Sequence, residues 1–321
     1  MKVCIIGAGA IGGFIGTRLA LAGRAEVSAI ARGATLQALR EQGWRLRSSG
    51  SLFQHPARAA ERAEELGPQD LVVIAVKAPA LAAVAASIAP LLGAQTVVLP
   101  AMNGVPWWFA ENGPPLESVD PGGRIAAAIE LRRVVGCVVH ASAASAEPGL
   151  VEHGMGQGLI IGEPAGGMSE RVEAIAALLA HAGFEVSRSA HVRGDIWYKL
   201  WGNMTINPIS ALTGATGDRV LADPLLREFC TRAMLEASAI GARIGCPIDS
   251  TPEDRHRVTA KLGALRPSML QDVAAGRPIE LDAIVGVVHE LGLRVGVPTP
   301  AVNLLFGLTR LFGQVRGLYP N

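Results

Sequence analysis

The segment Trp197-Tyr198-Lys199-Leu200-Trp201-Gly202-Asn203-Met204-Thr205-Ile206-Asn207-Pro208 places Lys199, Asn203 and Asn207 four residues apart among mostly apolar neighbours. On an α-helix such positions share a face, drifting by about 40° per step. A buried amide left without a partner costs about 1–3 kcal/mol. The stripe therefore needs either a neighbouring helix to bond or a ligand to hold. As a ligand surface, one ammonium and two amides suit a small molecule with carboxylate, carbonyl and hydroxyl groups. A lysine with an unperturbed pKa of about 10.4 is a proton donor at neutral pH. Two more polar groups follow, Ser268-Met269-Leu270-Gln271-Asp272 and Pro278-Ile279-Glu280-Leu281-Asp282. Glu280 is expected in the first turn of a helix, where a carboxylate also compensates the helix dipole.

A second chemistry-bearing segment lies near the N-terminus. Gly7-Ala8-Gly9-Ala10-Ile11-Gly12 matches G-x-G-x-x-G, directly after an apolar run and at the start of a helical pattern. In that context the first glycine permits a tight turn and the second a close approach to a pyrophosphate. The third lets the helix pack on the strand. The N–H groups at the helix start, those of Ala10 and Ile11 among them, then face the phosphates. The alternative is a turn that uses glycine for packing alone. Twenty residues after Gly12 stands Arg32, where an NAD site usually carries a carboxylate for the ribose 2′-hydroxyl. A guanidinium there favours a 2′-phosphate, and so NADP(H). Lys77 and Asn103 each follow an apolar run, as residues at the carboxyl edge of a sheet do.

The elements that must position these groups follow from periodicity. Strands are expected at Val3–Ile6, Glu26–Ala31, Leu71–Val76 and Thr96–Leu99, with helices at Ala10–Ala22 and Leu81–Leu92. Arg124–His140 reads as one or two further strands, and Val151–His153 with Leu159–Ile161 as a late hairpin. A surface helix, Ser169–His181, and a closing strand, Phe184–Val186, complete the first part. Beyond Ser189 the pattern is helical, at Gly194–Asn207, Pro224–Ile244, Glu280–Leu291 and Ala301–Phe312. The expected fold is α/β: a Rossmann-type, doubly wound N-terminal sheet over residues 1–189 and an all-helical C-terminal domain over 190–321. The loop 113–123 reads as an irregular insertion.

Composition sets the limits. The chain has 321 residues, half of them hydrophobic and 18% charged, so cores are affordable and disorder is not expected. The net charge is +1 and no basic stripe occurs, which argues against a nucleic-acid partner. Cys4, Cys137, Cys230 and Cys246 form no C-x-x-C pair, so neither a metal site nor a disulfide framework is expected. A reducing cytoplasm fits that usage. The glycines of the N-terminal segment and Arg18 argue against a signal peptide. Pro79, Pro90, Pro100 and Pro106 break the uncharged stretch 78–110, so no membrane span is expected. The tryptophans of the 197–208 segment and the apolar C-terminal helices are either core or the interface of a homodimer.

Taken in order, these motifs resemble the ketopantoate reductase (2-dehydropantoate 2-reductase) family from end to end. They are the glycine turn, Arg32, Lys77, Met102-Asn103-Gly104, Lys199-x3-Asn203-x3-Asn207-Pro208, Ser268-Met269-x-Gln271-Asp272 and Glu280-Leu281-Asp282. The resemblance implies a Rossmann domain, a helical domain, a substrate cleft between them and NADPH-dependent reduction of 2-dehydropantoate to pantoate. It implies Lys199 as general acid and Glu280 as the carboxylate ordering substrate and cofactor. Asn203, Asn207 and Ser268 would bond the substrate, with Lys77 and Asn103 near the nicotinamide. Family members often carry another Asn about ten residues beyond the position of Asn207. Thr213-Gly214-Ala215-Thr216-Gly217-Asp218 has none, and Trp107-Trp108 stands beside Asn103-Gly104. Another branched or aromatic 2-oxo acid is therefore the alternative substrate, and a non-catalytic dinucleotide sensor the alternative class.

Overall fold

The computed structural model describes residues 1–110 and 113–321. The chain forms two compact units. One comprises Met1–Pro115 with Gly122–Asp195, the other Leu116–Pro121 with Ile196–Asn321.

The first unit begins β1 (Lys2–Ile6), α1 (Ala10–Ala22), β2 (Glu26–Ile30), α2 (Gly33–Gln42), β3 (Trp44–Ser48), β4 (Ser51–His55) and β5 (Arg58–Ala60). It continues β6 (Gln69–Ile74), α3 (Leu81–Ser87), β7 (Leu92–Pro100), α4 (Arg124–Ala128), β8 (Gly136–His140) and β9 (Ala143–Glu147). It ends with β10 (Leu150–His153), β11 (Gly158–Gly162), α5 (Glu170–His181) and β12 (Glu185–Ser189). Five strands form a parallel sheet in the order β5-β2-β1-β6-β7. The chain steps outward from β1 through β2 to β5, then returns to β6 on the other side of β1. That reversal makes the carboxyl ends of β1 and β6 the place where an open sheet binds ligands.

Two smaller sheets complete the unit, β4-β3-β10-β9 and β12-β11-β8. The second joins the edge of the main sheet through a bridge from Val98 to Val134 and the bond from Val135 N–H to Val98 O, 3.0 Å. Helix α1 packs on two layers at once. A Cβ on Gly13 would stand 2.5 Å from Val151 Cγ2 in β10, and one on Gly16 2.5 Å from the Trp44 ring in β3. Small residues on α1 thus let β3 and β10 close over it, and one apolar core spans all three layers.

Several sequence expectations are revised. Leu81–Leu92 is not one helix; α3 stops at Ser87, because Pro90 cannot continue it. Arg124–Ala128 is helical and only Gly136–His140 is a strand, the alanine run favouring helix over sheet. The proposed late hairpin does not exist. β10 pairs with β3 and β9, whereas β11 pairs with β8 and β12. A real hairpin occurs earlier, where β3 and β4 pair across Ser49 and Gly50, both with positive φ.

The division between the units falls inside α6 (Val192–Thr213), after Asp195. Then follow α7 (Gly217–Ala222), α8 (Pro224–Arg243), α9 (Pro252–Ala260), α10 (Ser268–Ala274), α11 (Val287–Val295) and α12 (Pro300–Val315). Helix α6 does not end at Asn207 as expected. It runs through Pro208, because Ile206 and Ile209 are locked into a core with Val220, Leu221, Cys230 and Leu305. Packing there outweighs the lost backbone hydrogen bond. The insertion at 113–123 is tied down too. The Glu290 carboxylate accepts from the N–H groups of Glu117 (3.0 Å) and Ser118 (2.9 Å) and from the Ser118 hydroxyl.

All four cysteines are buried thiols. Burial pushes the Cys4 thiol up to about 12 and the Cys230 thiol up to about 11. Among the described residues no helix is long and apolar enough to cross a membrane, and no His/Cys/Asp/Glu group could hold a metal ion.

Candidate active site

Four adjacent strands of the main sheet end on one line. Ile30, Ile6, Ile74 and Pro100 pair in register across β2, β1, β6 and β7. Every cofactor residue expected from the sequence lies just past that line. Gly7 follows Ile6 with φ of +90° and donates to Ile30 O at 3.2 Å. A Cβ on Gly7 would stand 2.6 Å from Val76 Cγ1, and one on Gly12 only 2.1 Å from Gly7 O. The protein itself thus requires glycine at both positions.

Gly9 is different. It caps α1 with φ of −82°, and a Cβ added there would meet nothing within 4 Å. The space beside it is open, so packing within the protein does not require glycine there. Next to it, the N–H groups of Ala10, Ile11 and Gly12 occupy the first turn, which no intrahelical bond can satisfy. No acidic side chain stands in that turn, and among the described residues no side chain caps it. The turn therefore fits a dinucleotide's pyrophosphate.

Arg32 stands two residues beyond β2, exposed, as the cap of α2. Among the described residues its guanidinium has no ion-pair or hydrogen-bond partner, and the first turn of α2 has no acidic residue. Lys77 does not end a strand as expected. β6 stops at Ile74, and half-buried Lys77 caps the short turn Ala78–Ala80. The last bonds of the ladder are Ala75 N–H to Ile6 O (2.9 Å) and Ala101 N–H to Ile74 O (2.8 Å), so Lys77 lies beyond the paired backbone. Asn103 is half-buried in the turn after β7, with Gly104 at φ +82°. Trp107 and Trp108 are both buried in the core of this unit rather than displayed at a surface.

In the second unit, α6 is oriented by its tryptophans. The indole N–H of Trp197 donates to Ala237 O (3.2 Å) and that of Trp201 to Met234 O (2.7 Å), both on α8. Trp197 and Trp201 lie about 160° from Lys199 around the helix. Anchoring them to α8 therefore turns Lys199 and Asn203 away from α8, while Asn207 lies about 80° around the helix from Trp197. Lys199 and Asn203 are half-buried, and Asn207 is 6% exposed. Ser268, also half-buried, opens α10.

Glu280 is not in a helical turn as expected. It immediately precedes the helix that starts at Leu281, passes through a π-turn at Asp282–Gly286 and continues as α11. At 8% exposure it is a buried carboxylate rather than a surface one answering a helix dipole. The C-terminal tail braces it on both sides. Ile279 N–H donates to Leu318 O (3.0 Å), and the Tyr319 hydroxyl donates to Asp282 Oδ1 (2.6 Å). Burial raises the Asp282 carboxyl above its ordinary value, and burial with the Asp282 bond raises the Tyr319 phenol. No sequence pattern announced this brace.

Tyr319→Phe should therefore lower stability by about 1–3 kcal/mol at neutral pH, since it strips a buried carboxylate of a donor. The folded-state pKa of Asp282 lies above its unfolded value, and losing the tyrosine bond raises it further. Ionised Asp282 carries the deficit, so the deficit is full above the variant's folded pKa and shrinks as pH falls from there through the wild-type folded pKa. Thermal unfolding of both forms across that range measures this. A deficit independent of pH would reject the assignment.

A parallel sheet with a glycine turn at its switch point, followed by an all-helical unit, defines a dinucleotide-binding α/β protein with an added helical domain. The chain belongs to the ketopantoate reductase family. Residues 3–166 match the family description Ketopantoate reductase PanE/ApbA, and residues 191–312 match Ketopantoate reductase PanE/ApbA C terminal. It is 44% identical to a 2-dehydropantoate 2-reductase of Mesorhizobium japonicum, over 99% of this chain and 100% of that one. A solved chain of the same family from Ralstonia solanacearum is 56% identical, with a TM-score of 0.95 and 99% of each chain covered. The crystal structure of 2-dehydropantoate 2-reductase from Geobacter metallireducens is 28% identical, with a TM-score of 0.86, covering 97% of this chain and 100% of that one.

Proposed function

We propose that this protein reduces 2-dehydropantoate to (R)-pantoate with NADPH, a step toward pantothenate and coenzyme A in the cytoplasm. The observation that carries the reading is the orientation of α6. Its tryptophans are bonded to α8, and Lys199 and Asn203 are turned to the other side. Residues 1–189 form the nucleotide domain in this reading, and 190–321 the catalytic domain. Gly7, Gly9, Ala10, Ile11 and Gly12 hold the pyrophosphate, and Arg32 the 2′-phosphate. Lys77 and Asn103 serve the nicotinamide end.

NADPH, when bound, supplies the hydride. The protein's own task is to orient the ketone and neutralise the alkoxide that develops on its oxygen. Lys199 gives that oxygen a proton from Nζ. Asn203, Asn207 and Ser268 hold the substrate's polar groups, and Glu280 orders substrate and cofactor. Family membership and the open Gly9 position support this assignment.

Oxidation of NADPH should be followed with a panel of 2-oxo acids. The highest kcat/KM is expected for 2-dehydropantoate. A clear preference for another branched or aromatic acid would move the substrate. NADPH binding without turnover of any acid would make the protein a sensor.

A homodimer belongs to the same proposal. Trp197, Trp201 and Leu305 are core residues, but Leu304, Leu308, Leu311 and Val315 are exposed along one face of α12. Leu308→Glu with Leu311→Glu should halve the mass measured by sedimentation velocity. An unchanged dimer would place the interface elsewhere, and a monomeric wild-type protein would remove it.

A further inference from the structure

We propose that Arg255 binds the carboxylate of the 2-oxo acid and so selects acids over neutral ketones, an inference that rests on the function proposed above. Arg255 lies on α9 in the run Glu253-Asp254-Arg255-His256-Arg257. The neighbouring acids are already engaged. Glu253 pairs with Arg227 at 2.5 Å, and Asp254 accepts from Thr251 Oγ1 at 2.6 Å and from Arg257. Among the described residues Arg255 itself has neither an ion-pair nor a hydrogen-bond partner, and its Nε is buried without one.

The guanidinium is nonetheless held in place. It lies over the Tyr198 ring, 5.1 Å from the centroid. It also lies against Gly202, where an added Cβ would stand 2.3 Å from Arg255 Nε. Gly202 is a helix-interior glycine, normally a destabilising choice, and here it makes the slot that the arginine fills. Tyr198 and Gly202 directly precede Lys199 and Asn203. The slot is therefore about 60–100° around α6 from Lys199, on the side away from Asn203 and Asn207, so that Lys199 stands between the guanidinium and the two amides.

A half-buried cation without a counter-ion carries a desolvation cost that an incoming anion relieves. A flat guanidinium fixed by a ring face is also pre-organised for the two oxygens of a carboxylate. The substrate class proposed above carries one carboxylate. With Arg255 on that group, the amides and ammonium of the stripe are left for the carbonyl and hydroxyl groups.

The test compares 2-dehydropantoate with a neutral 2-oxo ester of the same skeleton, using the full chain and NADPH. Arg255→Met should raise KM for the acid by about tenfold, keep kcat within about twofold, and leave the ester's KM unchanged. Arg255→Lys should fall between, keeping the charge and losing the fork. Gly202→Ala should give the same acid-selective rise with the charge retained, because it displaces the guanidinium. If Arg255→Met does not fold, as judged by circular dichroism, these two variants decide. Equal effects on acid and ester, or none, overturn the role of Arg255 while the reductase reading stands. Failure of the wild-type protein to reduce either compound overturns both.

Discussion

Lys199→Ala is expected to lower kcat by about 100-fold or more while NADPH binding stays unchanged. Transfer of a proton by a placed side chain contributes about 10²–10⁴-fold. The pose of its helix has other supports as well. Trp197 and Trp201 bond α8 on the opposite side of α6. Adding a small primary ammonium ion should restore part of the rate to the alanine variant, which a merely structural role would not allow. Steady-state kinetics with saturating NADPH reads the effect. Unchanged turnover would remove Lys199 from the chemistry.

Arg32→Ala is expected to raise KM for NADPH by about 100-fold and to leave KM for NADH unaltered. Two charge-assisted bonds to a phosphate are worth several kcal/mol, discounted here because the site is open to water. The side chain is free to make them. Arg32 is exposed beyond the end of β2, has no partner among the described residues, and faces no acidic residue in the first turn of α2. Arg32→Asp should go further and favour NADH, since a carboxylate repels a 2′-phosphate and accepts from a 2′-hydroxyl. Parallel titrations with both cofactors measure the ratio. Equal losses with NADPH and NADH would show that Arg32 only shapes the turn.

Much of the first unit was legible because its signals are local. Helix α1 runs from Ala10 to Ala22 as expected, stopped by Gly23 in the left-handed region. Helix α5 begins where Ser169 accepts from Val172 N–H, a capping signal readable from three residues. The β3–β4 hairpin was equally readable and was missed. Trp44 and Leu46 alternate with Arg45 and Arg47, and Ser49-Gly50 marks the turn. Gly202 was a further unused signal. An isolated glycine inside a helix usually has a packing reason, and here the reason is Arg255.

Residue order along the chain was sufficient for whatever depends on a few neighbouring residues: the glycine turn, the i, i+4, i+8 stripe, the arginine after β2, and the change from alternating to helical elements. Tertiary packing alone decided that β10 and β11 enter different sheets, that the tail braces Glu280 through Leu318 and Tyr319, and that Lys77 stands clear of its strand. It also decided that α6 continues through Pro208. The division has a physical cause. Spacing along a helix or strand constrains geometry over a few residues, whereas pairing between distant segments depends on which surfaces fill one another's space when the cores close.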